Sequence, residues 1–334
     1  MTLKSGKKTA AIAGAIAAVI LSTLVVTTSN VFVQKNISPS LTNGTNSESM
    51  QKLKVIASFF PMYEFAKNIA GDRADVSVFI PIGDEPHGWE PTTQEIQDVQ
   101  NSQLFIYNGA GMESFIPTFL SAGNFGNTTF VRASAGITML NANETNVDPN
   151  EAGPIIAQGG KDPHVWNDPV LAEQEVRNIG NAMEKADPAN AQYYENNTVA
   201  YIGKLAKLDQ DIKSGLANCK IRTFVSFHNA FNYFAPQYNL TDIWISGLAP
   251  EAEVSPQDLE RVESLTKQAN VKVIFSEDLV SPQLADALSA DVGARTEILS
   301  PLEGINQTEQ QEGITYLDKW YENLSELRDA MQCQ

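Results

Sequence analysis

The chain has 334 residues, 43% of them hydrophobic and 19% charged, which is enough for two domains with their own cores and too apolar for wholesale disorder. Its net charge of −17 argues against DNA or RNA as a partner, because an acidic surface repels a phosphate backbone. The same charge attracts cations weakly, but charge alone makes no metal site.

Lys4, Lys7 and Lys8 precede a charge-free run from Thr9 to Gln34. Residues 1–35 read as a signal peptide or an uncleaved membrane anchor, with the basic end in the cytoplasm and the remainder outside. The length of the run favours the anchor, and no Cys near its end offers a lipid attachment point. Residues 36–51 are polar and without periodicity, as in a flexible stalk. Sequons at Asn36, Asn43, Asn127, Asn143, Asn196, Asn239, Asn306 and Asn323 fit an extracellular glycoprotein. So does the single pair Cys219 and Cys333, which suggests one disulfide; two free thiols are the alternative.

The folded part alternates strand and helix signals. Strands are expected over 54–61, 75–82 and 103–110, and helices over 62–71, 92–102 and 112–122. This rhythm points to a parallel sheet flanked by helices in a lobe spanning 52–187. Residues 141–161, rich in Asn, Asp, Gly and Pro, read as a surface loop, and helix signals return near Pro169. Residues 188–217 contain no internal proline and carry apolar residues at three- and four-residue steps. They predict one helix of roughly 28 residues, about 42 Å long, linking two lobes. In the second lobe, 218–334, strands are expected over 221–227 and 271–277, with helices over 230–238, 255–270, 281–293 and 318–332.

Only three histidines are present, so each can be inspected singly. His87 lies in PIGDEPHGWEP after an apolar strand, His164 in the turn-rich DPHVWNDP, and His228 in FVSFHNAF at a strand end. Ligand groups in open α/β sheets collect beyond the carboxyl ends of strands, so the three are placed to meet in one crevice. Taken singly, each is more readily a structural histidine; the joint pattern reverses that. Three neutral imidazoles and one carboxylate satisfy a tetrahedral Zn2+. Glu85, Glu90, Asp162 and Asp168 are the nearby acids that can orient the rings.

The segments PHGWEPTTQEIQDV, DPHVWNDP, FHNAFNYFAPQYNL and ILSPLEGI resemble the signature stretches of the zinc/manganese substrate-binding proteins of ABC transporters, cluster A-I. The resemblance covers roughly residues 53–332. It implies two α/β lobes, each a mostly parallel sheet flanked by helices, bridged by one long helix, with the metal in the interlobe cleft. It implies His87, His164 and His228 as ligands, the third favouring zinc over manganese, and Glu303 as the fourth, with Glu277 and Asp278 as rivals. It further implies a monomeric subunit on the extracellular face of the cell membrane, anchored or secreted, that passes Zn2+ to an ABC permease. The loop before His164, about 141–161, contains Asp and Glu but none of the histidines many zinc members carry there, a departure from the family pattern.

Three other readings compete. A zinc hydrolase or lyase needs an open metal position for water, and no His-Glu-X-X-His helix or nucleophile elbow is present. A cell-surface adhesin on the same fold would suit the stalk and sequons. A manganese carrier would prefer more oxygen ligands than this set offers.

Overall fold

The computed structural model describes residues 52–122, 125–141 and 160–334. The expected anchor, stalk and most of the loop at 141–161 lie outside the described residues. Every element that follows lies within the compact unit Gln51–Gln334.

The first sheet begins with β1 (Leu53–Ala57), α1 (Phe60–Ala70), β2 (Ala74–Val78), α2 (Thr93–Gln100) and β3 (Leu104–Tyr107). It is completed by α3 (Ile116–Ala122) and β4 (Thr129–Arg132). All pairings are parallel, in the order β2-β1-β3-β4. The middle strands β1 and β3 are almost fully buried, as parallel strands covered on both faces must be. Edge strand β4 (TFVR) has no fully buried residue, which is why it carries no strong strand signal.

Two helices follow, α4 (Pro169–Ala186) and α5 (Ala191–Gly215). The α4 start combines Pro169 in the first turn with an Asp168 side chain that accepts from the Val170 N–H. The 25-residue α5 packs on α4, with Leu205, Leu208 and Ile212 buried. Gly180 on α4 allows the approach, since a Cβ there would lie 2.3 Å from the Thr198 hydroxyl on α5.

The second sheet repeats the pattern. It comprises β5 (Thr223–His228), α6 (Phe234–Gln237), β6 (Thr241–Ser246), α7 (Pro256–Gln268), β7 (Val273–Ser276), α8 (Gln283–Val292) and β8 (Arg295–Ile298). Its parallel order is β6-β5-β7-β8, and α9 (Gln307–Glu312) and α10 (Tyr316–Ala330) end the chain. Capping boxes at Ser255/Asp258, Asn306/Glu309 and Thr315/Asp318 start α7, α9 and α10.

Some expected elements differ. The helix expected over 230–238 shrinks to one turn, because Asn229 instead pairs its N–H with Gly247 and Ala230 offers its carbonyl to Asn167. The strand over 75–82 stops at Val78, as the chain turns into the His87 segment. Cys219 and Cys333 are joined as a disulfide across 114 residues. The Asn323 sequon is buried, with its side chain bonded to both backbone groups of Ser300, so a glycan there is incompatible with the fold. Among the described residues, no helix is long and apolar enough to cross a membrane.

Candidate metal centre

In each sheet the chain reverses its direction of strand addition between the two middle strands, and the crevice opens at their carboxyl ends. In the first sheet this crevice is filled by Glu113. Its carboxylate accepts from the Ser58 hydroxyl (2.7 Å) and from the Asn108 and Gly109 N–H groups (2.8 and 2.9 Å). Asn108 in turn donates its amide to the Pro163 carbonyl, fixing the residue before His164. In the second sheet the crevice stays polar. His228 ends β5, and Glu277 follows the last residue of β7.

Each histidine is held by its own surroundings. His87 sits in the turn after β2, where Trp89 packs edge-on against Phe79 at 5.3 Å and the Glu85 carboxylate accepts the His87 backbone N–H. His164 is fully buried. Asp162 Oδ1 accepts both its backbone N–H (3.0 Å) and its ring Nδ1–H (2.8 Å), while Asp162 Oδ2 accepts from the Asn232 amide of the second lobe. His228 repeats this arrangement with Glu277, at 3.0 Å to the backbone N–H and 2.6 Å to Nδ1. A carboxylate can only accept, so His164 and His228 donate from Nδ1, and Nε2 is the nitrogen turned toward the other three side chains, free to donate to Glu303 or, once deprotonated, to offer a lone pair to a cation.

Glu303 enters from the segment between β8 and α9. Leu302 precedes it at φ +59°, a left-handed conformation that costs of order 1–3 kcal/mol for a bulky side chain. Three contacts hold this turn: Trp166 donates to the Pro301 carbonyl, Asn323 brackets Ser300, and Ser300 Oγ accepts from the Leu302 N–H. Glu303 Oε1 lies 3.1 Å from His87 Nε2 and 3.3 Å from Nε2 of both His164 and His228. The His164 Nε2 atom lies 3.4 Å from that of His87 and 3.2 Å from that of His228.

A tetrahedral ion with bonds of about 2.0–2.1 Å separates its ligand atoms by about 3.3 Å. Five of the six separations among the three Nε2 atoms and Glu303 Oε1 are 3.1–3.4 Å, close to that spacing, and all four groups lie within 4.8 Å of one another. Residues from both lobes contribute, and all four side chains are buried or nearly so.

Burial and mutual charge act against each other in this cluster. Burial pushes the Glu303 carboxyl up, yet the charges of His87 and His228 and hydrogen bonds from His164 and His228 outweigh it and hold it well below the usual carboxylate value. Burial works to lower His164 and His228, but the bonds to Asp162 and Glu303 raise the first, and the charges and bonds of Glu277 and Glu303 raise the second well above the usual imidazole value. Burial lowers His87 despite Glu303. At the rim, Glu85 is pushed up to about 9 by burial, by a hydrogen bond with Glu251 and by the charge of Glu303.

Residues 55–330 match the family described as "ZnuA: Zinc-uptake complex component A periplasmic". The chain belongs to the ZnuA family. It is 39% identical over 292 residues to "High-affinity zinc uptake system protein ZnuA" of Bacillus subtilis, covering 87% of this chain and 92% of that protein. It is 33% identical over 279 residues to "Zinc-binding lipoprotein AdcA" of Streptococcus pneumoniae, covering 84% of this chain but only 56% of the longer relative. The solved "Zn(II)-bound ZnuA-like domain of Streptococcus pneumoniae AdcA" superposes with a TM-score of 0.71 at 32% identity, covering 84% of this chain and 99% of that domain. The laminin-binding protein Lmb of Streptococcus agalactiae superposes with a TM-score of 0.74 at 30% identity, covering 84% of this chain and all of that one; it is described as bifunctional, with adhesin and metal transporting activity. ZnuA-type proteins are zinc-binding solute-binding proteins and not enzymes.

Within the ZnuA fold, the four residues expected from the sequence converge: His87, His164, His228 and Glu303. The rivals of Glu303 face elsewhere. Glu277 binds the far side of the His228 ring, and Asp278 pairs with Lys319. Of the expected orienting acids, Asp162 holds His164, Glu85 holds the His87 backbone, Asp168 caps α4, and Glu90 is exposed. The sequence reading missed Asn108, Asn232 and Asn323. Asn232 falls within FHNAFNY, but its task depends on a partner 70 residues away.

Proposed function

We propose that the chain is the extracellular subunit that captures Zn2+ through His87, His164, His228 and Glu303 and delivers it to an ABC permease. The observation that carries this reading is the convergence of three imidazole Nε2 atoms on Glu303 Oε1 at 3.1–3.3 Å, near the edge length of a tetrahedral zinc shell. Three imidazoles and a single carboxylate oxygen suit zinc better than manganese, which favours oxygen-rich, higher coordination. With four protein ligands the shell is closed, leaving no position at which a bound water would be activated.

Capture and release follow from the ligands' origin. Two come from the first lobe and two from the second, so the cation favours the closed arrangement. The α4–α5 pair limits hinge motion, and small lobe or loop shifts at the permease lower the affinity. The organisation proposed is a signal or anchor over 1–35, a stalk over 36–51, lobes over 52–187 and 218–334 and a linking helix over 188–217, in a monomer tethered outside the membrane. The family's zinc-uptake relatives support the delivery step.

The test is metal analysis of the purified chain, followed by competition between Zn2+ and Mn2+ against a chelator, and zinc-limited growth of cells lacking the gene. One Zn2+ per chain, not displaced by equimolar Mn2+, with a growth defect relieved by added zinc, is expected. Preferential manganese binding, or growth indifferent to zinc supply, would overturn it.

A further inference from the structure

The ligand-bearing segments of the second lobe converge on one buried ammonium. Lys319 on α10 is 3% exposed, and its Nζ lies 3.1 Å from Asp278 Oδ1 and 2.8 Å from Glu309 Oε1. Glu322 lies further out, at 3.5 Å. Asp278 is the residue next to Glu277, whose carboxylate holds the His228 ring and backbone. Glu309 caps the start of α9, accepting from the Asn306 N–H, and so ends the short segment that carries Glu303. One turn further along the same face of α10, Asn323 brackets Ser300 at the start of that segment. Glu277, Asp278, Ser300, Pro301, Glu303 and Gly304 all line one cavity beside the site.

We propose that Lys319 is a positioning residue for metal binding: its ammonium, tied to both Asp278 and Glu309, sets the separation between the His228–Glu277 pair and Glu303. This rests on the zinc-binding reading above and adds a residue to it. A lysine buried this deeply is retained only where charge partners compensate it, and here both partners sit next to ligand-bearing segments. The neighbouring carboxylates keep its pKa raised against the opposing effect of burial, so it stays charged. The strained Leu302 turn needs restraint at both ends to hold Glu303 at 3.1–3.3 Å from the imidazoles. Asn323 restrains one end, and Lys319 through Glu309 restrains the other.

The experiment measures Zn2+ affinity by chelator competition for the full chain, Lys319→Met, Glu303→Ala and the double variant, with the visible spectrum of the Co2+-loaded proteins. Outer partners of metal ligands are worth roughly 10–100-fold in affinity. Lys319→Met should lose that much, with the Co2+ bands shifting toward those of Glu303→Ala. In the Glu303→Ala background the same change should cost less than about 3-fold, because the ligand it positions is gone. Lys319→Met that folds and binds like the parent, or that loses equally in both backgrounds, overturns the proposal. If Lys319→Met fails to fold, Glu309→Gln decides: it weakens the same tether while keeping a cap, and should lower affinity several-fold with the same spectral shift, whereas an unchanged spectrum overturns the proposal. A parent chain that binds no Zn2+ would instead refute the zinc-binding reading.

Discussion

Replacing Glu303 by Ala removes the one anionic corner of the site while leaving the three imidazoles in place. Structural four-ligand zinc sites bind with an apparent 10–16 kcal/mol, so an even share per ligand is roughly 2.5–4 kcal/mol. That corresponds to a loss of about 70- to 900-fold. Water can occupy the vacated corner and recover part of it, so about 100-fold is expected. Glu303 is 4% exposed, and its Oε1 is near-equidistant from all three Nε2 atoms, so no other side chain replaces it without moving the backbone. Calorimetry with a competing chelator measures the change. A loss below about 5-fold would refute the assignment, since an oxygen at that position could not then be bound to the cation.

Zinc affinity should fall on acidification, because His164 and His228 have raised pKa values and bind protons that the cation must displace. Below both values the decline should approach roughly two decades per pH unit, with little from His87, whose pKa is lowered. Calorimetry in buffers of different ionisation enthalpy counts the released protons, and none released at pH 6 would contradict this. In the metal-free protein the sign reverses. A raised imidazole stabilises fully below its unfolded value near 6.5, and that contribution is lost as pH rises through the folded value. Replacing Cys219 and Cys333 by Ser removes a 114-residue closure worth about 2–5 kcal/mol. Thermal melts should show a Tm lower by roughly 3–8 °C, with zinc affinity unchanged. Gly180→Ala should cost about 1–3 kcal/mol by pushing α4 from Thr198, and Thr198→Ala in the same chain should recover much of it; additive losses in denaturant melts would exclude that contact as the cause.

The alternation of strands and helices was legible because buried parallel strands such as LKVIA and TFVSFH are short apolar runs, and because Pro, Thr and Ser mark helix starts. Edge strands TFVR and RTEI were not legible, since residues half in solvent need no apolar pattern. The three histidines stood out because they are few and each lies by a turn. Local sequence could name the acids near them but not assign their tasks. Glu277 and Glu303 are both buried acids beyond strand ends in the second lobe, yet one takes the Nδ1 side of a ring and the other the Nε2 side.

What the sequence by itself determined is the residue chemistry: three imidazoles, a Glu in SPLEG, and a repeated βα rhythm that puts loops beyond parallel strands. Only the tertiary structure decided which carboxylate meets the three Nε2 atoms, that Cys219 meets Cys333, that Asn323 is a buried clamp rather than a glycan acceptor, and that Lys319 joins the segments carrying Glu277 and Glu303. Those outcomes depend on side chains separated by tens to hundreds of residues. Their distances are set by packing of whole elements, which no local pattern encodes.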